Sequence, residues 1–199
     1  MLRALFAAWS IVALPALAAA DFGMTAKVGA GDTAIDVRPL EQCRAASLPG
    51  ARCLPPSEFL GLRGQLPSER DLLWLLGAAG LDGSERVVVA GDSDGAREFV
   101  AGLLYLAGQR EVRVLAMPLT PLVSARSDAV PGQERALVRT KVFAAPMRDA
   151  LWIVHPREAN GGPVILATDA YTAIRRFTRQ LLDTGQAIRV GWALDGEKR

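Results

Sequence analysis

The sequence is poor in the residues that most catalytic and metal sites require. Its 199 residues include one histidine, His155, and two cysteines, Cys43 and Cys53. A single histidine cannot build a histidine-rich metal site, and no serine or cysteine stands beside it as in a catalytic triad. We find no zinc-ligand spacing, glycine-rich phosphate loop or nucleophile elbow. The sequence therefore predicts no metal and no cofactor, and places His155 in a loop beside Pro156.

A surplus of charge is also missing. The chain carries 23 Lys and Arg residues against 21 Asp and Glu residues, a formal net charge of +2. Nucleic-acid-binding proteins show a clear basic surplus, so we expect no nucleic-acid partner. After residue 20 no apolar run reaches the ~20 residues that a membrane-spanning helix needs, so no transmembrane segment is expected there.

Residues 1–20 have the pattern of a cleaved secretory signal peptide. Arg3 supplies an early positive charge, residues 4–14 are almost wholly apolar, and residues 16–20 are small. A membrane anchor is the alternative, but the apolar run is shorter than the ~20 residues that span a bilayer. We therefore expect a periplasmic or secreted protein whose mature chain begins at Asp21 or Ala19.

The two cysteines remain in the mature chain. In an oxidising compartment Cys43 and Cys53 can form a disulfide. Two buried free thiols are the alternative, because the sequence does not reveal the Cα separation that decides between them.

Hydrophobic patterns along the chain predict an α/β protein with a parallel sheet. The predicted strands are Thr33–Arg38, Arg52–Leu54, Arg86–Ala90 and Glu111–Leu115, and the predicted helices are Ser68–Ala79 and Ala96–Ala107. The run Arg86–Ala90 is apolar without alternation, as in a strand that is buried on both faces of a parallel sheet.

The second half of the sequence looks like a partial repeat of the first. Val164–Ala167 matches the strand that ends at Ala90, Asp169 matches Asp92, and a helix is predicted over Tyr171–Asp183. A repeated β-α-β unit favours a parallel sheet, with convergence of two unrelated units as the alternative. We accordingly divide the mature chain into residues 21–118 and a second unit, 119–199, packed against the first.

The segment that joins the two units is basic and less regular. We expect an exposed loop over Ser124–Gln133 because it is polar and contains Pro131–Gly132. Met147–Val154 fits either a helix or a strand. We also expect the two units to pack together, so that the first unit or this joining segment shelters the strand Val164–Ala167.

The helix of the second unit is amphipathic. Phe177 and Leu181 belong to its apolar side, which we expect to be buried between the units, and Arg175 and Arg179 should remain in water. Together with Arg176, these arginines form either an ordinary solvated face or a surface for an anion or an acidic partner.

Several motifs in order resemble the rhodanese family. They are Ile35–Arg38, which has the family's strand with an Asp-x-Arg end, Leu48–Ala51, which has its Pro-Gly-Ala turn, the helix from Leu66 to Leu81, and the central strand Arg86–Val89. The resemblance covers Thr33–Leu115. The second half is similar only to the central β-loop-α-β unit of such a domain.

This resemblance implies an open α/β sandwich with an active-site loop after the central strand. Catalytic members place a cysteine at the start of that loop, where a helix N-terminus lowers the thiol pKa. The corresponding residues here are Gly91, Asp92, Ser93, Asp94 and Gly95, with Arg97 in the helix that follows. In the partial repeat, Thr168 or Asp169 stands at the position of the catalytic cysteine, and neither carries sulfur. The resemblance implies a structural role for Asp36 and Arg38.

We therefore expect a non-catalytic, exported rhodanese-like protein that acts as a binding or accessory component of the cell envelope. Its partner would be another envelope protein. One alternative is a sulfurtransferase that uses Cys43 or Cys53. Another is a structural subunit of an envelope assembly.

Overall fold

The protein consists of short parallel strands alternating with helices. The computed structural model describes residues 21–153 and 162–192, so the expected signal peptide and His155 lie outside the described residues. The strands are β1 (Phe22–Thr25), β2 (Thr33–Asp36), β3 (Arg52–Cys53), β4 (Arg86–Ala90), β5 (Glu111–Leu115), β6 (Gln133–Glu134), β7 (Trp152–Ile153), β8 (Val164–Ala167) and β9 (Arg189–Trp192). The helices are α1 (Leu40–Ala45), α2 (Pro56–Phe59), α3 (Glu69–Ala78), α4 (Asp94–Leu106), α5 (Leu119–Ser124) and α6 (Ala170–Thr184).

These strands form two parallel sheets. The first has six strands in the order β1-β5-β4-β2-β3-β6, and the second has three in the order β7-β9-β8. Every pairing in both sheets is parallel. The expectation of an α/β protein built on an open parallel sheet is confirmed. Because all strands of a parallel sheet run the same way, their carboxyl ends meet at one edge, and each sheet has one such edge.

The central strand β4 is buried on both faces, as its sequence predicts. Val87 and Val89 pack into the core beneath α3, α4 and α6. Val88 and Ala90 point to the other face, into a smaller core that includes Leu119 of α5. Successive side chains of a strand alternate between faces, so an apolar run without alternation requires an apolar layer on each side.

Capping side chains decide where the main helices begin. The predicted cap of α3 is confirmed, since the Ser68 hydroxyl accepts a hydrogen bond from the Asp71 backbone N–H. Helix α4 begins at Asp94, two residues before the predicted start at Ala96, because Ser93 serves as its N-cap. A serine cap satisfies a backbone N–H that the first helical turn leaves unpaired.

Helix α6 packs directly on α4, so the second sheet and the first share one core. Phe177 and Leu181 are buried, as expected. The Thr178 hydroxyl donates a hydrogen bond of 2.8 Å to the backbone carbonyl of Glu98 in α4.

One expectation for the second unit is confirmed with an addition, and another is wrong. Arg175 and Arg179 keep 38% and 61% of their side-chain surface exposed, as expected, but both also contact the Glu98 carboxylate, because α6 lies against α4. Strand β8 was expected to be sheltered, but Leu166 is 41% exposed. Among the described residues, α6 packs against β8, and Leu166 lies on the face of the strand that is exposed.

The joining segment is more ordered than the sequence predicts. The expected loop Ser124–Gln133 ends inside β6, which pairs with β3 at the edge of the first sheet. Val130 also forms an isolated antiparallel bridge with Ser47. The undecided stretch that starts at Met147 contains a 3-10 turn at Asp149–Leu151, followed by β7.

Within residues 21–153 and 162–192, no helix combines the length and apolar character needed to cross a bilayer.

Candidate functional site

The loop after β4 starts where the core ends. Gly91 directly follows the strand, and a Cβ atom built on it would lie 2.5 Å from the Val37 Cγ2 atom. Real Cβ atoms do not approach other carbon atoms this closely, so this position requires glycine unless the loop after β2 moves. Asp92 is exposed and stands one residue further on.

The Asp92 carboxylate is tied to the loop after β5. It accepts hydrogen bonds from the Thr120 backbone N–H at 2.8 Å and from the Thr120 hydroxyl at 2.5 Å. Partial burial raises the pKa of Asp92, but the two hydrogen bonds from Thr120 and the charge of Arg38 outweigh that effect and lower the pKa overall. Asp92 therefore stays ionised at neutral pH.

The expected structural pair Asp36 and Arg38 lies beneath this contact. Asp36 is fully buried, and its Oδ2 atom accepts hydrogen bonds of 2.6 Å from Arg38 and 2.7 Å from the Ser47 hydroxyl. Arg38 also donates to the Ala46 carbonyl at 2.6 Å and to the Thr120 hydroxyl at 3.1 Å. The buried charges are thus paired and surrounded by hydrogen bonds, which offsets their loss of hydration.

Arg97 adds a further link at the start of α4. Its guanidinium donates to the Gly91 carbonyl at 2.9 Å and to the Met117 carbonyl at 2.7 Å, and it also contacts Asp94. The side chain joins the loop after β4 to the loop after β5. We call the carboxyl edge of the six-stranded sheet, with Asp36, Arg38, Ser47, Asp92, Arg97 and Thr120, the bridged edge.

Both cysteines of the chain form one disulfide next to the bridged edge. Cys43 in α1 and Cys53 in β3 have Cα atoms 5.8 Å apart, and both residues are buried. The expected disulfide is therefore present in the structure. Gly132 lies directly over it, since a Cβ atom on that glycine would stand 2.7 Å from the Cys53 Sγ atom.

The three arginines of α6 are divided between two environments. Arg175 Nε lies 3.3 Å and Arg179 Nε lies 3.0 Å from the Glu98 carboxylate, which is itself buried. Arg176 points elsewhere and donates a long bond of 3.5 Å to the Leu166 carbonyl. Two of the guanidinium groups proposed from the sequence as an anion surface thus already have an acidic partner within the chain.

The carboxyl edge of the three-stranded sheet has a different character. A cleft of about 620 Å³ lies there, between the ends of its strands and the segment that leads into α3. Trp152 of β7 and Trp192 of β9 line it, with ring centroids 5.8 Å apart in an edge-to-face arrangement. We call this cavity the tryptophan cleft, and the edge that carries it the open edge.

Asp169 stands at the open edge where Asp92 stands at the bridged edge. Its Oδ1 atom accepts a hydrogen bond of 2.8 Å from the Thr172 backbone N–H, which makes it the N-cap of α6. Its Oδ2 atom accepts one from the Thr168 hydroxyl at 3.2 Å. Partial burial raises the pKa of Asp169, but the hydrogen bonds from Thr172 and Thr168 lower it by more, so Asp169 also stays ionised.

Comparison with solved structures relates this geometry to known proteins. The structure of YnjE superposes with a TM-score of 0.52 at 18% sequence identity, over 69% of this chain and 36% of that one. A variant of EanB in complex with ergothioneine gives a TM-score of 0.50 at 16% identity, over 68% of this chain and 37% of that one. A probable thiosulfate sulfurtransferase gives a TM-score of 0.47 at 23% identity, over 70% of this chain and 58% of that one.

The chain has a rhodanese-like fold. It spans a little over a third of the length of YnjE and of EanB. No family model matches the chain, and no curated protein matches it in sequence.

In this rhodanese-like fold the loop residues proposed from the sequence do come together at the end of β4. Asp36 and Arg38, to which the resemblance assigns a structural role, lie beside that loop and form an ion pair with each other. Sequence reasoning missed Thr120 and Ser47, which complete the hydrogen bonds of the bridged edge. Thr120 lies in the first turn of α5, and it reaches Asp92 because β5 and β4 are neighbours in the sheet, an order that the sequence analysis did not supply.

The tryptophan cleft was also missed. Trp152 and Trp192 are 40 positions apart in the sequence and meet because β7 and β9 are neighbours in the second sheet. The sequence left the segment containing Trp152 undecided between helix and strand, and that ambiguity hid the cleft.

Proposed function

We propose that this protein is an exported, rhodanese-like binding or accessory component of the cell envelope that does not itself transfer sulfur. The observation that carries the proposal is Asp92. The resemblance assigns the position of the family's catalytic cysteine to Gly91 or Asp92, and the Asp92 carboxylate accepts two hydrogen bonds from Thr120.

Sulfur transfer by such a loop requires a thiolate that can attack and then carry a sulfur atom. Gly91 has no side chain and is packed against Val37, and Asp92 supplies an anion that is not a sulfur nucleophile. Its hydrogen bonds and lowered pKa are those of a structural carboxylate. A general acid or base working at neutral pH would need a pKa shifted toward 7 instead.

The cysteines do not offer a substitute. Cys43 and Cys53 are joined to each other, buried, and covered by Gly132. A reactive cysteine needs an exposed thiolate in an electropositive setting. The alternative of a sulfurtransferase that uses either cysteine therefore lacks support from the geometry.

Two features support export. Residues 1–20 have the charged, apolar and small-residue order of a signal peptide. A disulfide is the form that paired cysteines take in an oxidising compartment. Within this proposal, the partner of the protein is another component of the envelope.

The decisive experiment measures sulfur transfer from thiosulfate to cyanide with the purified chain, before and after reduction. We expect no turnover above background, and the same result for the Cys43→Ser/Cys53→Ser double variant. A sulfurtransferase of known activity that has a cysteine in this loop serves as the positive control. Turnover in the natural chain that disappears in the double variant would show that the protein is an enzyme and overturn the proposal.

Export has its own test. Mass spectrometry of the protein from its native host should find Asp21 or Ala19 at the N-terminus. A mature protein that retains Met1 would contradict the export part of the proposal and leave the sulfur-transfer part standing.

A further inference from the structure

The tryptophan cleft has the position and size of a small-molecule site. Its volume of about 620 Å³ lies within the range of roughly 300–1,000 Å³ that is usual for such sites. It lies at the carboxyl ends of parallel strands, where open α/β sheets bind their ligands. Thr168 and Asp169 follow β8, and Trp192 ends β9, so the second sheet forms one wall.

The walls of the cleft are mostly apolar and held in place. Leu66, Pro67 and Leu72 line it together with the two tryptophans. The indole N–H of Trp152 donates to the Leu106 carbonyl at 3.1 Å, which fixes the orientation of that ring. Because the polar atom of this indole is already bonded to the protein, what Trp152 offers a ligand is its aromatic surface.

The charges that line the cleft are mainly negative. Glu69, Asp149 and Asp169 contribute carboxylates, and Arg63 contributes one guanidinium. Glu69 and Asp149 are exposed at the rim, while Asp169 is half-buried and keeps its charge through a lowered pKa. Among the described residues that line the cleft, three carboxylates therefore face one guanidinium, next to the two tryptophan rings.

An anion bound at the N-terminus of α6 is the obvious competitor, since helix N-termini attract negative charge. Here Asp169 already occupies that position and accepts the Thr172 N–H. A second anion would meet the Asp169 carboxylate at close range. The local charge pattern thus disfavours an anion and favours a cation.

We propose that the tryptophan cleft binds a small organic cation with an apolar body, such as an aromatic or quaternary ammonium compound. Tryptophan is the aromatic side chain that attracts cations most strongly, and the rim carboxylates add charge complementarity. The apolar walls remove the body of the ligand from water. This inference goes beyond the proposed function, because it concerns a different edge of the molecule and does not depend on the absence of sulfur transfer.

The test compares three probes of similar shape by isothermal titration calorimetry with the full chain. They are phenyltrimethylammonium, the uncharged tert-butylbenzene, and the anion benzenesulfonate. We expect saturable one-site binding of the cation, at least about tenfold tighter than that of either other probe, because the neutral probe lacks the charge and the anion is repelled. Equal affinity for the neutral probe, or tighter binding of the anion, would overturn the proposal.

Variants locate the site. Asp149→Asn removes an exposed rim charge with no expected effect on folding, and it should weaken binding of the cation severalfold. Trp192→Leu should weaken it by about tenfold or more, provided that the thermal unfolding midpoint shows a folded protein. Asp128→Asn and Trp74→Leu alter an exposed carboxylate and an indole that do not line the cleft, and both should leave affinity unchanged. Cation binding that both cleft variants leave unchanged would place the ligand elsewhere and refute the assignment.

Discussion

The two carboxyl edges of this molecule share a strand–aspartate–helix order but differ in the hydrogen-bond partners of the aspartate. At each edge a strand rich in small apolar residues leads to an aspartate and then to a helix, β4–Asp92–α4 in one case and β8–Asp169–α6 in the other. Asp92 receives its hydrogen bonds from Thr120, which is 28 residues away in sequence. Asp169 receives its own from Thr168 and Thr172, within three residues.

The different hydrogen-bond partners of Asp92 and Asp169 suggest a reason why one edge has a cleft and the other has linked loops. At the bridged edge, polar side chains from separate loops satisfy one another, which draws those loops together. At the open edge Asp169 finds its hydrogen-bond partners in Thr168 and Thr172, so its carboxylate does not tie a second described segment to the end of β8. The space that remains is lined by Trp152 and Trp192.

The largest expected effect comes from breaking the bridged edge at its buried centre. Asp36→Ala removes the acceptor of Arg38 and of the Ser47 hydroxyl and leaves a buried guanidinium without its counter-charge. The free energy of unfolding should fall by about 3–5 kcal/mol. Urea denaturation monitored by tryptophan fluorescence measures the loss.

Removal of the aspartate that holds the open edge should be much milder than removal of Asp36. Asp169→Ala removes an N-cap, which costs about 1 kcal/mol because water can replace the lost contact. If the two substitutions destabilise the protein equally, the distinction between a bridged edge and an open one is wrong.

The second prediction concerns the disulfide, which braces the bridged edge alone. The Cys43→Ala/Cys53→Ala double variant should lose about 3 kcal/mol of unfolding free energy, because the unfolded chain regains the freedom that the crosslink removes. The same denaturation experiment without reductant gives the value. A double variant as stable as the natural chain would mean that packing around Gly132 holds this region without the covalent bond.

The third prediction tests the contact between the helices that follow the two edges. Glu98→Gln keeps the shape of the side chain but removes the charge that Arg175 and Arg179 share. We expect a loss of about 1 kcal/mol, because the carboxylate is buried and both arginines are partly exposed. Glu134→Gln is the control, since its ion pair with Arg44 is exposed on both sides and should contribute less than about 0.5 kcal/mol. Equal effects in the two variants would argue against a special role for Glu98.

The smallest effect lies in the acid range. Asp92 and Asp169 both have a pKa below the usual value of 3.8, so each binds a proton more weakly when folded. The stability that they contribute is present above that value and is lost as the pH falls through the lower, folded pKa. Asp92→Asn and Asp169→Asn should each reduce the acid-induced decrease in unfolding free energy by less than about 1 kcal/mol, because solvent screens both carboxylates.

The reductions that the two substitutions cause should add in the double variant, because the two aspartates have different hydrogen-bond partners. Unfolding measured between neutral and acidic pH in all four proteins provides the comparison. A double variant that deviates from the sum would show that the two edges are coupled.

Much of the fold could be predicted from strand and helix patterns. The strands β4, β5 and β8 have the bounds that the sequence predicts, because each is a short run in which β-branched and other apolar residues dominate. Helices α3, α4 and α6 were found within two residues at each end. Amphipathic spacing and nearby capping residues are local signals, and they are sufficient for elements of this length.

The elements that the sequence did not predict are short or depend on distant partners. Strand β6 has two residues, and only its pairing with β3 makes it a strand. Helix α1 follows Pro39 without a capping side chain, so it lacked a start signal. Strand β1 begins directly after the expected signal peptide and exists because it pairs with β5.

The candidate site was predictable in part for the same reason. The loop Gly91–Gly95 was placed correctly because it follows a strand that is clear from the sequence alone. Thr120 was missed because its contact with Asp92 depends on the order β5-β4-β2, which no local pattern contains. The pairing of Glu98 with Arg179 was missed likewise, since it depends on the packing of α6 on α4.

The position of Gly132 imposes an order of events on the redox chemistry of the disulfide. The sulfur atoms lie beneath a backbone that donates from the Gly132 N–H to the Cys43 carbonyl at 2.9 Å, and the adjoining strand β6 is paired with β3. A thiolate must reach a sulfur atom to attack the disulfide, and both cysteines are buried with this backbone against them. At high reductant concentration, the rate of reduction should therefore level off at the rate at which β6 detaches.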